Sequence, residues 1–511
     1  MSEMIKNQWL AFDTDANPCD IHIQKKESES YGVLSFNTPT LDATTESMLY
    51  HIKVDVSGSM SDRMLDGRCK MQLVVHTLTN MMHYFADNTV NTYIQVSGFD
   101  DKIHPYIEPT KVTTKNVHSL IRSLSSMRPM NTTNIELALA TVAEYVDEPV
   151  ENIPRNRRVV VLLTDGDSTV GESDPYKLSQ LIPSGVSANF IALGDEHNAD
   201  IMYALGHQNP YTSNWFINKL EHTGNVYGEI IFNESHRALD DVLIQIENGR
   251  IFDYNTGEFV SEIRIGILSS EMKKQFHILS ETPDTCNVSI KGRDIRDGTH
   301  VEYYASDLPP LIPCGETLDE PIGVHRVKKQ YMRLGVQKLM ADLRLCDELN
   351  QPIPNMSLRL LFHEPNPCKD NTHVRKAFND RAKNLKATIK EYMESSSLTE
   401  DELLCGLIDD LNVVMNTTSL QHGDIKFATA REDSQGRQTA FNTVSDMQDD
   451  DYDISLLRPP TLHRTPTSAY TTPGRLNAMR AISREINDAP VVTPDELIWD
   501  TQVFDQMLAS P

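Results

Sequence analysis

The chain has 511 residues, a formal net charge of −26 and a pI near 5.0. This length exceeds what one hydrophobic core organises, so we expect several structural units. The acidic balance repels phosphate backbones, which disfavours nucleic-acid binding, and no apolar run is long enough for a membrane span. The seven cysteines are odd in number and scattered without a C-x-x-C pair. They indicate free thiols in a reducing, intracellular compartment, most simply the cytoplasm.

Two short segments before residue 48 alternate apolar and polar side chains, at 20–24 and 31–36. Residues 1–47 are therefore predicted to be a β-rich segment. The apolar run that follows, at 49–54, predicts a fully buried strand. This strand opens a second unit, which we place at residues 48–248.

A hexapeptide directly after this strand carries one carboxylate and two hydroxyls: Asp55-Val56-Ser57-Gly58-Ser59-Met60. In a sharp turn, Asp55, Ser57 and Ser59 are expected to point to one side, while Gly58 tolerates backbone angles that bulkier residues resist. Oxygen donors of this kind suit a hard divalent cation such as Mg²⁺. The turn alone is weak evidence, because serine-rich turns after strands are common.

The rest of the second unit alternates between helix and strand patterns. In chain order, these patterns predict a helix over 71–85, a strand over 92–99, an antiparallel edge strand over 102–108, helices over 117–124 and 135–146, and strands over 158–163 and 188–193. Strands that alternate with helices require right-handed crossovers. The expected fold is therefore α/β, with a doubly wound, mostly parallel sheet.

Two further polar segments lie at the ends of these elements. Met130-Asn131-Thr132-Thr133-Asn134-Ile135 leads into the helix over 135–146, and Thr164-Asp165-Gly166 directly follows the strand over 158–163. Ligands of open parallel sheets bind at the carboxyl ends of the strands. Asp55 and Asp165 both follow such ends, so the sequence predicts one shared site.

Three further elements are predicted at the end of the second unit. The segment 198–219 is expected to be a surface insertion that could alternatively shape partner choice, 226–232 a last strand, and 238–246 a closing helix.

The remaining chain is predicted to form three further parts. Residues 249–320 alternate like strands and are expected to join residues 1–47 in one small β-sandwich, in which the α/β unit is inserted. Residues 321–425 carry the apolar stripes of a helical bundle, with one helix starting at the capping box Thr399-Glu400-Asp401-Glu402. Residues 426–511 form an acidic tail containing proline and threonine, expected to be largely disordered. Short helices in this tail, at 476–486 and 497–508, are expected to dock either on a partner or on the chain's own domains.

Together, the three polar motifs resemble the metal-ion-dependent adhesion site of a von Willebrand factor type A domain, whose pattern is Asp-x-Ser-x-Ser, a distant Thr and a Thr-Asp-Gly. The resemblance implies that Ser57, Ser59 and Thr133 bind Mg²⁺ (or Mn²⁺) through their hydroxyls, and that Asp55 and Asp165 act mostly through bound water. Such an ion lacks strong anionic ligands, so an Asp or Glu side chain of a partner protein can complete its coordination. The order of units is similar to that of intracellular eukaryotic and large-virus members of the family.

The function expected from this resemblance is a divalent-metal-dependent protein interaction module or scaffold. Walker A, G-x-S-x-G and H-E-x-x-H motifs are absent from the sequence, so we do not expect an enzyme. Plant relatives begin with a RING finger, which the single N-terminal Cys19 cannot build, so one alternative is a ubiquitin-pathway substrate adaptor that lacks its own RING. The other alternative is a structural or virion component in which the metal only stabilises the fold.

Overall fold

The computed structural model describes residues 4–13, 21, 25–26, 28–63, 69–89, 91–150, 153–194, 197–217, 220–304, 320–346, 372–417, 423–439 and 469–483. The strands of these residues are β1 (Lys6–Asp13), β2 (Ser30–Asn37), β3 (Met48–Asp55), β4 (Thr92–Phe99), β5 (Ile103–Lys111), β6 (Arg158–Thr164), β7 (Ser187–Leu193), β8 (Thr212–Ile217), β9 (Arg237–Glu247), β10 (Arg250–Asp253), β11 (Glu258–Val260), β12 (Glu262–Ser269), β13 (Lys273–Ser280), β14 (Asn287–Asp294) and β15 (His300–Tyr304). The α-helices are α1 (Lys70–Asn88), α2 (Val117–Leu124), α3 (Ile135–Asp147), α4 (Pro175–Ser179), α5 (Ala199–Gly206), α6 (Leu220–Ser235), α7 (Glu320–Arg344), α8 (Thr372–Ser395), α9 (Glu402–Thr417), α10 (Gly423–Arg437) and α11 (Pro473–Ile482).

A six-stranded sheet with the order β5-β4-β3-β6-β7-β8 forms the centre of the α/β unit. Neighbouring strands in this sheet are parallel, except for β4 and β5, which are antiparallel. Strands β3, β6 and β7 are buried along their whole length, as expected for parallel strands covered by helices on both faces. The predicted α/β fold with a mostly parallel sheet is confirmed.

The end of this unit differs from the prediction in two elements. The segment 226–232, predicted as a strand, lies in α6, and the segment 238–246, predicted as a closing helix, is β9. Strand β9 pairs with β12 and β14, so it belongs to the sandwich although it lies inside the predicted bounds 48–248. The chain thus leaves the α/β unit about ten residues earlier than expected.

The segment 198–219 is not a surface insertion. Its described residues form α5 and then β8, which pairs in parallel with β7 as the sixth strand of the central sheet. Trp215 and Phe216 are buried in the core of the α/β unit. The Gly-His-Gln-Asn-Pro stretch is the connection between these two elements.

The segments on both sides of the α/β unit combine into a two-sheet β-sandwich. One sheet has the order β1-β2-β13-β10-β11 and the other β12-β9-β14-β15. Strand β2 pairs along its length with β13, for example Leu34 with Phe276, so a strand before the α/β unit bonds to one after it. Apolar side chains of both sheets share one core, including Phe36, Ile244 and Ile278. Strands β1 and β10 were not predicted.

The helical part after the sandwich is larger than predicted. Helix α10 crosses the predicted boundary at residue 425, and its buried Glu432 accepts hydrogen bonds from Arg344 of α7. The amide of Leu404 in α9 donates to Asp401 Oδ1 at 3.1 Å, so Asp401 rather than Thr399 caps this helix. Order therefore continues into the segment predicted as a disordered tail.

One of the two predicted tail helices lies on the α/β unit. Helix α11 packs against α6 so closely that a Cβ added to Gly228 would lie 2.5 Å from Met479 Cα. Asn80 of α1 donates to the carbonyl of Ile482 at 2.8 Å, and the buried Arg475 lies 3.8 Å from Glu229 of α6. The first helix thus docks within its own chain. The second predicted helix and the acidic run lie outside the described residues.

Neither a membrane-spanning helix nor a disulfide is found where the structure describes the chain. No helix within the described ranges is both long and apolar enough to cross a bilayer. Cys69, Cys286, Cys346 and Cys405 are free thiols.

Candidate metal centre at the carboxyl edge of the sheet

The first motif folds into a turn that holds its carboxylate beneath two hydroxyls. Asp55 ends β3 and is fully buried, and its Oδ1 accepts the backbone N–H of Ser57 at 2.8 Å. A short 3₁₀-helix, Gly58–Ser61, starts immediately afterwards. Ser57 Oγ and Ser59 Oγ lie 3.0 Å apart. The turn therefore places both serine hydroxyls on the same side, as the spacing predicted.

The third motif meets the first across the boundary between β3 and β6. Thr164 donates its hydroxyl to Asp55 Oδ2 at 2.7 Å, and Ser59 donates to Asp165 Oδ1 at 2.8 Å. Because β3 and β6 are parallel neighbours, their carboxyl ends bring Asp55 and Asp165 to one edge of the sheet. Asp55, Ser57, Ser59 and Asp165 thus belong to one hydrogen-bonded cluster.

The second motif is fastened to both of the other loops through its backbone. Asn131 has a positive φ of 49°, and its carbonyl accepts the N–H of Gly58 at 3.2 Å. The amide of Thr133 donates to Thr169 Oγ1 at 2.9 Å, and the Thr133 carbonyl accepts the Thr169 amide at the same distance. Thr133 is buried just before α3, next to the loop that carries Asp165. The structure therefore joins the loop of Thr133 to the loops that carry the other four predicted residues.

Lys70, at the start of α1, is a component that the sequence did not reveal. Its Nζ lies 2.7 Å from Asp165 Oδ2, and its side chain is only 5% exposed. A second missed group is Asp100, which follows β4 at the same edge and accepts Asn131 Nδ2 at 3.0 Å. Nothing local marks either residue, because each reaches the site only through the packing of a neighbouring element.

The electrostatics of the cluster favour an added positive charge. Burial raises the pKa of Asp55 to about 6, against the lowering effect of hydrogen bonds from Ser57 and Thr164. The nearby Asp165 carboxylate raises it further, since two like charges disfavour one another. A cation bound between the loops would relieve both effects by stabilising the ionised carboxylates.

The donor set is chemically suited to a hard divalent ion. It offers serine and threonine hydroxyls with two carboxylates, and oxygen ligands are those that Mg²⁺ and Mn²⁺ prefer. Within the described ranges, no cluster of three or more His, Cys, Asp or Glu side chains could hold a metal. A metal at this edge therefore depends on the hydroxyls. Metal binding by the five residues stays a prediction.

The second and third loops each carry one exposed apolar side chain. Met130, in the second loop, is 38% exposed, and Val170, in the third, is 41% exposed. The amide of Val170 donates to the carbonyl of Thr133, which fixes its position beside the site. Asp167 is exposed, as expected for a turn residue.

The α/β unit combines a mostly parallel sheet with hydroxyls and carboxylates gathered at its carboxyl edge. Residues 52–226 match the sequence model of the von Willebrand factor type A domain. The chain therefore contains a von Willebrand factor type A domain, as its motifs predicted.

The similar proteins of known name are inter-alpha-trypsin inhibitor heavy chains. Human inter-alpha-trypsin inhibitor heavy chain H4 is 24% identical over 253 residues, which cover 47% of this chain and 25% of that protein. The mouse heavy chain 4 is 25% identical over 179 residues, covering 34% of this chain and 18% of that protein. The chain thus spans a quarter or less of the length of these two relatives.

Two solved structures that match the chain share little sequence with it. The ArnB paralog VWA2 from Sulfolobus acidocaldarius has a TM-score of 0.48 and 14% identity, covering 85% of this chain and 99% of that one. Proximal thread matrix protein 1 from the mussel byssus, solved with a zinc-occupied MIDAS motif, has a TM-score of 0.31 and 16% identity, covering 39% of this chain and 50% of that one.

Proposed function

We propose that the three loops bind a divalent cation, Mg²⁺ or Mn²⁺, and that the chain uses this ion to bind a partner protein through an Asp or Glu side chain. The observation that carries the proposal is the hydrogen-bonded cluster of Asp55, Ser57, Ser59 and Asp165 at the edge of the sheet. Von Willebrand factor type A domains typically mediate protein–protein interactions, which fits a binding role.

The arrangement of these side chains favours binding a ligand from outside. When bound, the ion would supply an electrophilic centre for a partner's carboxylate. Ser57, Ser59 and Thr133 would hold it through neutral oxygens, while the buried Asp55 and Asp165 provide charge from below. Gly58 and Asn131 are exposed at the rim, so a partner can approach from that side.

The exposed apolar side chains give the partner a second point of contact. Met130 and Val170 flank the cluster on two different loops, and burying them would add affinity that a single carboxylate cannot supply. This surface would also choose among partners, because acidic side chains are common on protein surfaces. We therefore propose a scaffold or interaction module rather than an enzyme.

We also propose an intracellular setting for this function. The four described cysteines are free thiols, and free thiols persist in reducing compartments.

The test is capture of partners by the intact chain with and without chelator. We expect captured proteins to be lost with EDTA and with Asp55→Ala, and to return when Mg²⁺ is added in excess. Asp167→Ala is the matched control, because it removes an exposed acid two residues past Asp165 and should leave capture unchanged. Partners that survive both EDTA and Asp55→Ala would refute a metal-dependent interaction.

A further inference from the structure

A cavity of about 350 Å³ lies where the α/β unit, the sandwich and the helical part meet. Its wall includes Trp215 of β8, Phe252 of β10, Lys274 and Phe276 of β13, Arg333 of α7 and Arg437 at the end of α10. This volume falls within the range of small-molecule sites, roughly 300–1,000 Å³. None of the five predicted metal-site residues lines the cavity.

Two buried cations in this wall lack an acidic partner among the residues that the structure describes. Lys274 is 8% exposed, and its ammonium donates to the backbone carbonyl of Arg437. Arg333 is 2% exposed and donates to the carbonyls of Gln275 and Gln435 and to the side chain of Gln330. Its Nε has no hydrogen-bond partner among the described residues.

The acidic groups in and near the wall have other partners. Asp253 accepts the amide of Asn255 at 3.0 Å, and Glu229, which attracts Lys274 electrostatically, lies 3.8 Å from Arg475. Arg437 lies 2.7 Å from Asp433, and Glu234 of the cavity wall is paired with Arg237. Among the described residues, neither Lys274 nor Arg333 therefore forms an ion pair, in a chain whose net charge is −26. Buried charges are costly unless they are paired, so this pattern favours an anionic ligand.

Part of the remaining wall is apolar and aromatic, and it lies beside polar side chains. Trp215, Phe252, Phe276 and Met272 face the same space as the two cations. An inorganic anion would leave these surfaces without contacts, whereas an apolar body attached to an anionic head would cover both kinds of wall. From this combination we propose that the cavity binds a small amphipathic carboxylate, with its head at Lys274 and Arg333 and its body against the aromatic side chains.

Loss of Lys274 should change protein stability and ligand binding in opposite directions. Burial lowers the pKa of Lys274 to about 7, so its charged form destabilises the ligand-free protein. Replacing it by methionine, which is similar in length and apolar, should stabilise the empty protein and remove the ligand's partner. A residue that served stability alone would show the opposite change in stability.

The experiment titrates the intact chain with octanoate and follows tryptophan fluorescence, since Trp215 lines the cavity. We expect saturable binding of octanoate that is at least tenfold tighter than binding of neutral octan-1-ol or of inorganic phosphate. Lys274→Met should raise the melting temperature of the empty protein and weaken octanoate binding at least tenfold. Trp215→Phe should remove the fluorescence change.

Lys53→Met is the matched control. Lys53 is also a buried lysine with a pKa lowered to about 7 by burial, and its ammonium bonds a neutral partner, Ser97. It lies in the central sheet and does not line the cavity. This variant should leave octanoate binding unchanged. Absence of octanoate binding, equal affinity for octan-1-ol, or undiminished binding by Lys274→Met would each overturn the proposal.

Discussion

The ammonium group of Lys70 lies against the same carboxylate that a bound cation would use. It is 2.7 Å from Asp165 Oδ2 and almost fully buried, while the other oxygen of Asp165 accepts Ser59. Lys70 and the proposed cation would therefore compete for the negative charge of Asp165. We expect this competition to lower the affinity of the proposed metal site.

Lys70→Met should raise the affinity for Mn²⁺ about tenfold or more, because it removes the competing charge, and tenfold corresponds to about 1.4 kcal/mol. The metal-free variant should also unfold more easily, since Asp165 is left buried and unpaired. Calorimetric titration and thermal unfolding with and without Mg²⁺ measure the two effects. Lys177→Met is the control, because Lys177 is 66% exposed and pairs with Glu172. Unchanged or weaker Mn²⁺ binding by Lys70→Met would contradict the competition.

Lys53 permits a prediction about pH. Burial lowers its pKa from 10.5 to about 7, so the unfolded chain binds more protons between these values and stability rises with pH across that window. Lys53→Met should flatten this slope. It should also raise the free energy of unfolding at pH 7 by on the order of 1–3 kcal/mol, a net value that includes the lost hydrogen bond to Ser97. Urea unfolding at several pH values measures both. A slope as steep as that of the native protein would show that Lys53 is not the cause.

At the scale of elements, glycines on α6 allow helix α11 to pack closely against it. Gly228 lets the backbones of the two helices touch, and Gly224, one turn earlier, does the same at Ser483. Helices approach this closely only where small residues form the contact. The position of α11 therefore depends on two glycines that lie about 250 residues earlier in the chain.

Gly228→Ala should displace α11, because the new Cβ would lie 2.5 Å from Met479 Cα. We expect a loss of about 1–3 kcal/mol from overpacking and faster hydrogen exchange in α11. Gly406→Ala is the matched control: no atom of the described residues lies within 4 Å of its added Cβ, so alanine should stabilise α9 by about 0.5–1 kcal/mol. Protection of α11 that is unchanged in Gly228→Ala would contradict this account.

Helices and strands could be predicted where the spacing of apolar residues fitted only one of the two structures. They could not be predicted where tertiary packing determined the structure. The strand at 92–99 and the helix at 117–124 have the predicted bounds. The Val-Tyr-Gly-Glu-Ile-Ile-Phe run of α6 has the composition of a strand but is a helix, because α6 is covered on one side by the sheet and on another by α11. Strand β9 carries apolar residues at spacings that also fit a helix. Its extended conformation follows from its pairing with β12 and β14, which the sequence does not show.

The oxygen ligands of the candidate site could be predicted from the sequence, whereas the residues that surround them could not. Asp55, Ser57, Ser59 and Asp165 follow strand ends, and parallel strands bring such ends together. Lys70 and Asp100 reach the site through a helix start and a neighbouring loop, and no local pattern in the sequence marks such contacts.

At the scale of the whole molecule, buried polar contacts join the structural units. Arg344 of the helical part donates to Glu432, to the carbonyl of Asn255 in the sandwich, and lies 4.2 Å from the ring centroid of Tyr203 in the α/β unit. The cavity with Lys274 and Arg333 lies at the same junction. The three loops of the proposed metal site are at the carboxyl edge of the central sheet, so the two proposed ligand sites are separate.

Counting bound Mn²⁺ by electron paramagnetic resonance tests the central claim most directly, because the method reports the free ion. One ion should bind per chain, Mg²⁺ should displace it, and Asp167→Ala should retain it. Asp165→Ala should abolish this binding, because it removes a carboxylate on which the site depends. Absence of Mn²⁺ uptake by the native chain, or uptake undiminished in Asp165→Ala, would contradict a metal centre at these loops.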